Sequence, residues 1–244
     1  MDEIARNLAD EIVKKLNSIP ATTRLLIAIA GFPASGKSTL AILVVNHINA
    51  LLFNTETVLG EYTTSLPPEA IMVGLDGWHL TRTQLNSMEN PELAHARRGA
   101  HWTFDGQSYV SFVRQLQAPL YEGMSVITAP SFDHALKDPA PHAVSIHPHH
   151  RIVVIEGLYT MLDTEVWRDA AEMMDERWWV EIDWEVAKTR LVKRHVLTGV
   201  AKDTVEAIWR ADENDGPNGS FVAANLYKPT RVIKSVDDPL YALP

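Results

Sequence analysis

Gly31-Phe32-Pro33-Ala34-Ser35-Gly36-Lys37-Ser38 lies between a continuous apolar run, Leu25-Leu26-Ile27-Ala28-Ile29-Ala30, and an apolar stretch from Ser38 to Leu52. The octet fits G-x-x-x-x-G-K-[ST], and a place between a buried strand and a helix is the context in which that pattern forms a phosphate-binding loop. Gly31 and Gly36 permit a bend that turns amide N–H groups inward. The following helix directs the positive end of its dipole at the same point, and Lys37 reaches the terminal phosphates of a nucleotide. Ser38 offers a hydroxyl to Mg²⁺. The predicted nucleotide-binding set is Gly31, Phe32, Pro33, Ala34, Ser35, Gly36, Lys37, Ser38 and Thr39. The bland alternative is a glycine turn before a helix with an exposed lysine.

Working outward, three further apolar runs resemble the first: Ile71-Met72-Val73-Gly74-Leu75, Ile152-Val153-Val154-Ile155 and Trp178-Trp179-Val180-Glu181-Ile182, with Val232-Ile233 a weaker fifth. Such runs suit strands buried on both faces. Helical stretches at Ser38–Leu52, Gly106–Gln117 and Val186–Leu197 alternate with them, so an α/β fold with a mainly parallel sheet follows. Ile4, Leu8, Ile12 and Leu16 form a stripe four residues apart, which predicts an N-terminal helix within residues 1–20 packed on a core. Asn54–Pro68, Pro130–His150 and Asp212–Ser220 read as loops on one scaffold, giving a single domain over 1–244.

The composition narrows the function. The chain has 244 residues, 22 Lys+Arg against 31 Asp+Glu, a net charge of -9, and 46% hydrophobic residues, which excludes a mainly disordered chain. With no cysteine there is no disulfide framework, thiolate metal site or cysteine nucleophile. The first residues lack a signal-peptide pattern and no run reaches the ~20 apolar residues of a membrane span, so a cytoplasmic protein is expected. The acidic balance argues against a nucleic-acid partner, whose affinity would rest on Lys and Arg. Any bound phosphate should therefore meet a local basic cluster. His142, His147, His149 and His150 lack the spacing and acidic neighbours of a zinc site.

A phosphate loop binds a nucleotide without saying why. No Asn-Lys-x-Asp guanine-reading segment occurs. Phosphoryl transfer to an alcohol needs a carboxylate to accept the hydroxyl proton, an acid near the metal, and positive charge over the transferring group. Asp76, directly after the second run, is predicted at the carboxyl edge of the sheet, where ligands bind, and is the candidate base. Glu156, at the end of the third, is the candidate metal acid with Ser38. Val186 to Lys202 carries Lys188, Arg190, Lys193, Arg194 and Lys202 with no acid, and Arg190 and Arg194 share a helix face. It reads as a polyphosphate-facing lid over 186–212, a solvated basic face being the alternative. The acceptor set is Trp78, His79, Arg97, Arg98, Phe104, Asp105, Asp133 and Lys137: carboxylates for hydroxyls, aromatic faces for a sugar ring, cations for an anionic group.

In the order of its landmarks the sequence resembles the phosphoribulokinase/uridine kinase family of P-loop kinases, which includes bacterial pantothenate kinase. Those landmarks are Gly31–Ser38, Asp76-Gly77-Trp78-His79, Thr103-Phe104-Asp105, Pro130-Ser131-Phe132-Asp133, Ile155-Glu156-Gly157-Leu158 and the Arg190–Arg194 stretch, over roughly residues 20 to 235. Asp215-Gly216-Pro217-Asn218-Gly219, after a helix containing Trp209, resembles more narrowly a branch of fructose-transport-associated kinases and fungal ATP-dependent kinase-like proteins. The resemblance implies a P-loop NTPase three-layer sandwich with a parallel five-stranded sheet of order 2-3-1-4-5 and a helical lid. It also implies ATP and Mg²⁺, Asp76 as base and Glu156 near the metal. Uridine kinases carry a Tyr-Asp-Phe segment soon followed by a base-holding histidine, whereas Phe132-Asp133-His134-Ala135-Leu136-Lys137 puts lysine near that place, which argues against a pyrimidine acceptor. The expected activity is transfer from ATP to a hydroxyl of a sugar or sugar-like alcohol, with a nucleoside or pantothenate kinase, or a non-catalytic ATP-binding module, as rivals. The partners expected are ATP and a small-molecule acceptor, a homodimer being left open.

Overall fold

The computed structural model describes residues 1–57, 68–133 and 135–238. Helix α1 (Asp2–Leu16) buries Ala5, Leu8, Ala9, Ile12 and Leu16, with acids in its first turn and lysines in its last to complement the helix dipole. Strand β1 (Leu25–Gly31) is buried at every residue and leads into α2 (Lys37–Thr57). Strand β2 (Ala70–Gly74) ends in a 3₁₀ turn, Leu75–Trp78, before the short helices α3 (Arg82–Asn86) and α4 (Pro91–Ala96). Helix α5 (Gly106–Leu116) follows, then β3 (Ile127–Asp133), β4 (Asp138–Ile146), β5 (Ile152–Glu156), α6 (Trp167–Glu172) and β6 (Glu176–Glu181). Next come α7 (Trp184–Leu197), α8 (Thr204–Arg210), a π-turn at Ala211–Asp215, α9 (Gly216–Ala224) and β7 (Arg231–Lys234).

The main sheet runs β2-β5-β1-β6-β7 with every neighbouring pair parallel. Numbering only its own strands along the chain, that order is 2-3-1-4-5, as the resemblance implied. Alternate residues of β1 serve opposite faces. Leu26, Ala28 and Ala30 join Tyr109, Val113, Val153 and Trp167 on one side, while Leu25, Ile27 and Ile29 join Leu8, Ile12, Leu40, Val44 and Val154 on the other. Each such buried Leu or Ile contributes roughly 1.5–3 kcal/mol, which explains the unbroken apolar runs. Because β1 is central, chain crossovers diverge on either side of it and open a crevice at the carboxyl ends of the strands.

Two loop expectations are corrected, and a third lies mostly outside the described residues. Most of Pro130–His150 is the antiparallel β3–β4 hairpin, a separate two-stranded sheet. Pro130, Pro139 and Pro141 hide it in the sequence, yet a two-stranded sheet needs ladder bonds on one side only, and a register shift between Ala129 and Ser131 takes up the irregularity. Asp212–Ser220 is the π-turn running into α9, with Pro217 in the first turn, where its missing N–H costs nothing. Asn54–Thr57 continues α2; the rest of the Asn54–Pro68 stretch, residues 58–67, lies outside the described residues, as does His134.

Beyond the hairpin, His147, His149 and His150 pack ring against ring, at 4.3 Å for the last two. Burial, with the neighbouring charges, pushes His150 down to about 4, and its Nδ1 accepts the His147 N–H at 3.0 Å. Among the described residues no three His, Cys, Asp or Glu side chains are grouped to hold a metal ion.

Candidate active site

The phosphate loop is shaped by what surrounds its two glycines. A Cβ on Gly31 would lie 2.6 Å from Ser35 Oγ and 2.8 Å from the Val180 carbonyl, so only glycine fits where β1 meets β6. Gly36 turns the chain at φ +89°, and Ala34 also lies in the left-handed region at φ 62°. The Ser35 N–H donates to the Phe32 carbonyl at 3.0 Å, and α2 starts at Lys37, so its first unbonded N–H groups face the hollow of the loop. Ala34, Gly36, Lys37, Ser38 and Thr39 line a cavity of about 400 Å³, closed by Thr189, Arg190, Lys193 and Arg194 of α7 and by Met1, Val236, Asp237 and Asp238. Phe32 faces away from it. Its ring packs at 6.0 Å against both Trp179 and Trp184 and lies so close to Gly219 that a Cβ there would be 2.3 Å from the ring.

Two acids stand beside this loop. Glu156 ends β5 directly across from Gly74 of β2, and Ser38 Oγ donates to Glu156 Oε2 at 3.1 Å. Burial pushes the Glu156 carboxyl above its ordinary range, opposed by the charge of Lys37, reinforced by that of Asp76, and opposed again by the Ser38 hydrogen bond and Arg194. A half-buried carboxylate bonded to a hydroxyl suits a hard divalent cation that keeps water and phosphate oxygens as its other ligands, as Mg²⁺ does. Asp76 sits in the 3₁₀ turn after β2, exposed, and its carboxylate accepts no hydrogen bond among the described residues. The turn is tight: a Cβ on Gly77 would meet the Pro130 carbonyl at 2.3 Å.

The basic stretch divides into two uses. Arg190 donates to Asp237 Oδ1 (3.1 and 2.5 Å), Ser235 Oγ (2.9 Å) and the Ala34 carbonyl (3.3 Å), and Lys188 pairs with Asp212 at 2.5 Å. Arg190, placed over the transferring phosphoryl group by the sequence reading, lines the loop cavity and also ties the phosphate loop to the segment leaving β7. Arg194 has no ion-pair partner among the described residues, and its charge is felt at Glu156.

The structure gives each residue of the predicted acceptor set contacts of its own. Trp78 is 3% exposed, packed on Tyr109 and Phe112, and Phe104 is 8% exposed among His79, Tyr159 and Trp167, so neither has a free face for a sugar ring. Asp105 caps α5 by accepting the Ser108 N–H, and Asp133 Oδ1 accepts the Ala135 and Leu136 N–H groups in the hairpin turn. Lys137 takes a left-handed turn position at φ 55°, its carbonyl accepting from Arg98 at 2.5 Å. Arg98 also donates to the Leu80 carbonyl and to Asp138, both within 2.9 Å, so it fastens the hairpin. His79 donates through Nδ1 to the Asp76 carbonyl at 2.8 Å with its ring on Phe104. Arg97 alone reaches across the cleft, bonding the Glu213 carbonyl of the π-turn.

Residues that sequence reasoning did not select join the same neighbourhood, with Tyr159 fully buried. The Tyr159 hydroxyl donates to the Gly99 carbonyl at 2.6 Å; burial pushes it up, and the charges of Asp215, Arg97 and Asp76 all act on it. Asp76 is thus common to two neighbourhoods: Glu156 and Lys37 on one side, Tyr159, Asp215 and Arg97 on the other. Asp215 pairs with His195 of α7 at 3.0 Å, and Asn214 and Asn218 are bonded at 3.3 Å. The signal was available in Asp215-Gly216-Pro217-Asn218-Gly219, but reading it as a loop hid that Asn214 and Asn218 stand one helical turn apart.

A five-stranded parallel sheet with a lysine-bearing phosphate loop at its carboxyl edge, an acid paired to the loop serine and a second acid facing the cleft define a P-loop kinase. The model of the "Phosphoribulokinase / Uridine kinase family" matches residues 26–215, and the chain belongs to that family. It is 45% identical over 151 residues, 62% of this chain and 88% of the other, to "ATP-dependent kinase-like protein notR'" of Aspergillus versicolor. It is 35% identical over 213 residues, 87% of this chain and 84% of the other, to "Putative uridine kinase C227.14" of Schizosaccharomyces pombe. The crystal structure of a "putative fructose transport system kinase" from Silicibacter sp. TM1040 superposes with a TM-score of 0.76 at 26% identity, covering 93% of this chain and 98% of the other. Family membership makes this chain a phosphotransferase of the ATP-dependent kinase type. No helix among the described residues is long and apolar enough to cross a membrane.

Proposed function

We propose that the chain transfers the γ-phosphoryl group of Mg²⁺-ATP to a hydroxyl of a small, hydroxyl-rich metabolite, a sugar or sugar-like alcohol. The observation carrying this is the exposed carboxylate of Asp76, which accepts no hydrogen bond among the described residues and whose charge acts both on Glu156, bonded to Ser38, and, with those of Asp215 and Arg97, on Tyr159. A module that only binds nucleotide has no use for it. The loop N–H groups and Lys37 hold the β and γ phosphates, and Ser38 and Glu156 would hold Mg²⁺, which screens the phosphate charge when bound. Asp76 takes the proton of the acceptor hydroxyl as its oxygen bonds to the γ phosphorus and the bond to the β–γ bridging oxygen breaks. Arg194 offsets the charge that develops on the transferring group, and α7 and α8 act as the lid carrying it. Trp78 and Phe104, the aromatic faces expected for a sugar ring, are buried, so the support for a hydroxyl-rich acceptor is the set of carboxylate and amide groups around Asp76, Asp215 and Asn214.

The name of the fission-yeast relative favours a second reading, a nucleoside as acceptor. ADP release measured against polyols and nucleosides, with phosphorylated acceptor detected by mass, tests both. Phosphorylated polyol supports the proposal, phosphorylated uridine in its place supports the rival, and ADP release with no phosphorylated acceptor refutes both.

A further inference from the structure

The π-turn and the residues on either side of it hold one arginine in an unusual position. Arg97 ends α4, and its Nη1 donates to the Glu213 carbonyl, the one hydrogen bond its guanidinium makes among the described residues. Its neighbour Arg98 is the contrast, with acceptors in Leu80, Lys137 and Asp138. A π-turn closes its backbone hydrogen bonds one residue further along than an α-helix and so frees a carbonyl on its rim; such turns often mark functional sites.

The Arg97–Gly99 segment is fixed from two sides. Asn214 Nδ2 donates to the Arg98 carbonyl at 3.3 Å and is itself bonded to Asn218, while the Tyr159 hydroxyl grips the Gly99 carbonyl at 2.6 Å. The guanidinium is therefore placed by backbone groups rather than by a carboxylate. That is notable in a chain of net charge -9 and in a cleft that already contains Asp76 and Asp215, the latter paired to His195. A half-buried arginine with a planar donor edge left open is a recognition group for a carboxylate or a phosphate.

The geometry points to Arg97 as the specificity-determining residue of the acceptor site, taking the anionic group of a polyhydroxylated acceptor whose hydroxyls meet the carboxylate and amide groups of the cleft. The inference rests on the proposed function and deepens it: the acceptor is an anionic polyol, a sugar acid or a sugar phosphate, rather than a neutral sugar or a nucleoside. An open guanidinium edge discriminates because a neutral acceptor would leave it desolvated and unpaired.

The test compares matched acceptors on the purified chain with Mg²⁺-ATP: D-glycerate with glycerol, D-gluconate with D-glucose, D-ribose 5-phosphate with D-ribose, and D-fructose 6-phosphate with D-fructose, plus uridine. At least one anionic member is expected to exceed its neutral parent in kcat/KM by tenfold or more, and the pair in which this occurs distinguishes carboxylate from phosphate. Arg97→Gln keeps a donor for the Glu213 carbonyl and removes the charge. It is expected to raise KM for the anionic acceptor by about 10- to 100-fold, with KM for ATP within threefold and KM for neutral acceptors unchanged or lowered. Arg97→Lys restores part of the loss. The inference is overturned if neutral parents serve as well as their anionic partners, or if Arg97→Gln weakens charged and neutral acceptors alike, which is the mark of a structural role. Transfer to uridine but to none of the polyols overturns the proposed function itself, and so does transfer to none of the acceptors.

Discussion

Replacing Asp76 by Asn removes one negative charge and changes nothing else of size, which makes it the sharpest probe of the site. The side chain is exposed and accepts no hydrogen bond among the described residues, so folding stability should stay within about 0.5 kcal/mol and Tm within about 2 °C. Loss of a general base should lower kcat by roughly 10²–10⁴, about 2.7–5.5 kcal/mol of barrier. Nucleotide binding should survive. The structure adds a second readout: the Asp76 charge helps hold the Glu156 carboxyl up, so removing it favours the ionised form of Glu156, and Mg²⁺ affinity should hold or rise. The assay is acceptor-dependent ADP release over a Mg²⁺ series, with calorimetric titration of a non-hydrolysable ATP analogue. Turnover within threefold of the parent would refute the assignment of the base. A parallel collapse of ATP affinity would show that Asp76 serves the nucleotide rather than the acceptor.

Lys37→Ala should lower turnover by two or more powers of ten with the fold intact, measured by the same ADP release and by circular dichroism. Glu156→Gln should abolish Mg²⁺-dependent turnover yet raise the Tm of the unliganded protein at neutral pH. The folded carboxyl titrates above its ordinary value, so unliganded stability falls as pH rises from the ordinary glutamate range to that raised value, and a thermal melt series should show the variant without this slope. Trp78→Phe should cost about 1–2 kcal/mol in urea melts and leave the acceptor KM unchanged within threefold, because the indole is 3% exposed in the core.

The parts legible in the sequence were those whose signal is local and periodic. The apolar runs of β1, β5 and β6, the stripe of α1 and the octet joining β1 to α2 each declare burial or backbone shape within a few residues, while the order of the strands was implied only by the family resemblance. The acceptor side was less legible because residue type does not reveal where a side chain is used. Trp78 and Phe104 read as binding faces but serve the core, and Asp105 and Asp133 read as hydroxyl ligands but satisfy backbone N–H groups at a helix start and a turn. Arg97 and Arg98 are adjacent and alike in sequence; only the fold shows Arg98 consumed by three acceptors and Arg97 bonded once among the described residues. The β3–β4 hairpin and the π-turn were hidden by Pro and Gly, whose usual punctuation role was overridden by a two-stranded sheet and by close packing on Trp184 and Phe32.

The clasp made by Arg190 has a consequence for how this chain can vary. One guanidinium joins Ala34 in the phosphate loop to Ser235 and Asp237 beyond β7, about two hundred positions later. Asp237 is 83% solvent-exposed and would pass for a position free to drift. Its carboxylate nevertheless sets where Arg190 rests, and through Arg190 how firmly the Ala34 bend is held, so a change at the outer surface is transmitted to the nucleotide-facing backbone. The loop octet is therefore only part of the inheritance of this site; the remainder is carried by a distant surface residue that no short motif contains.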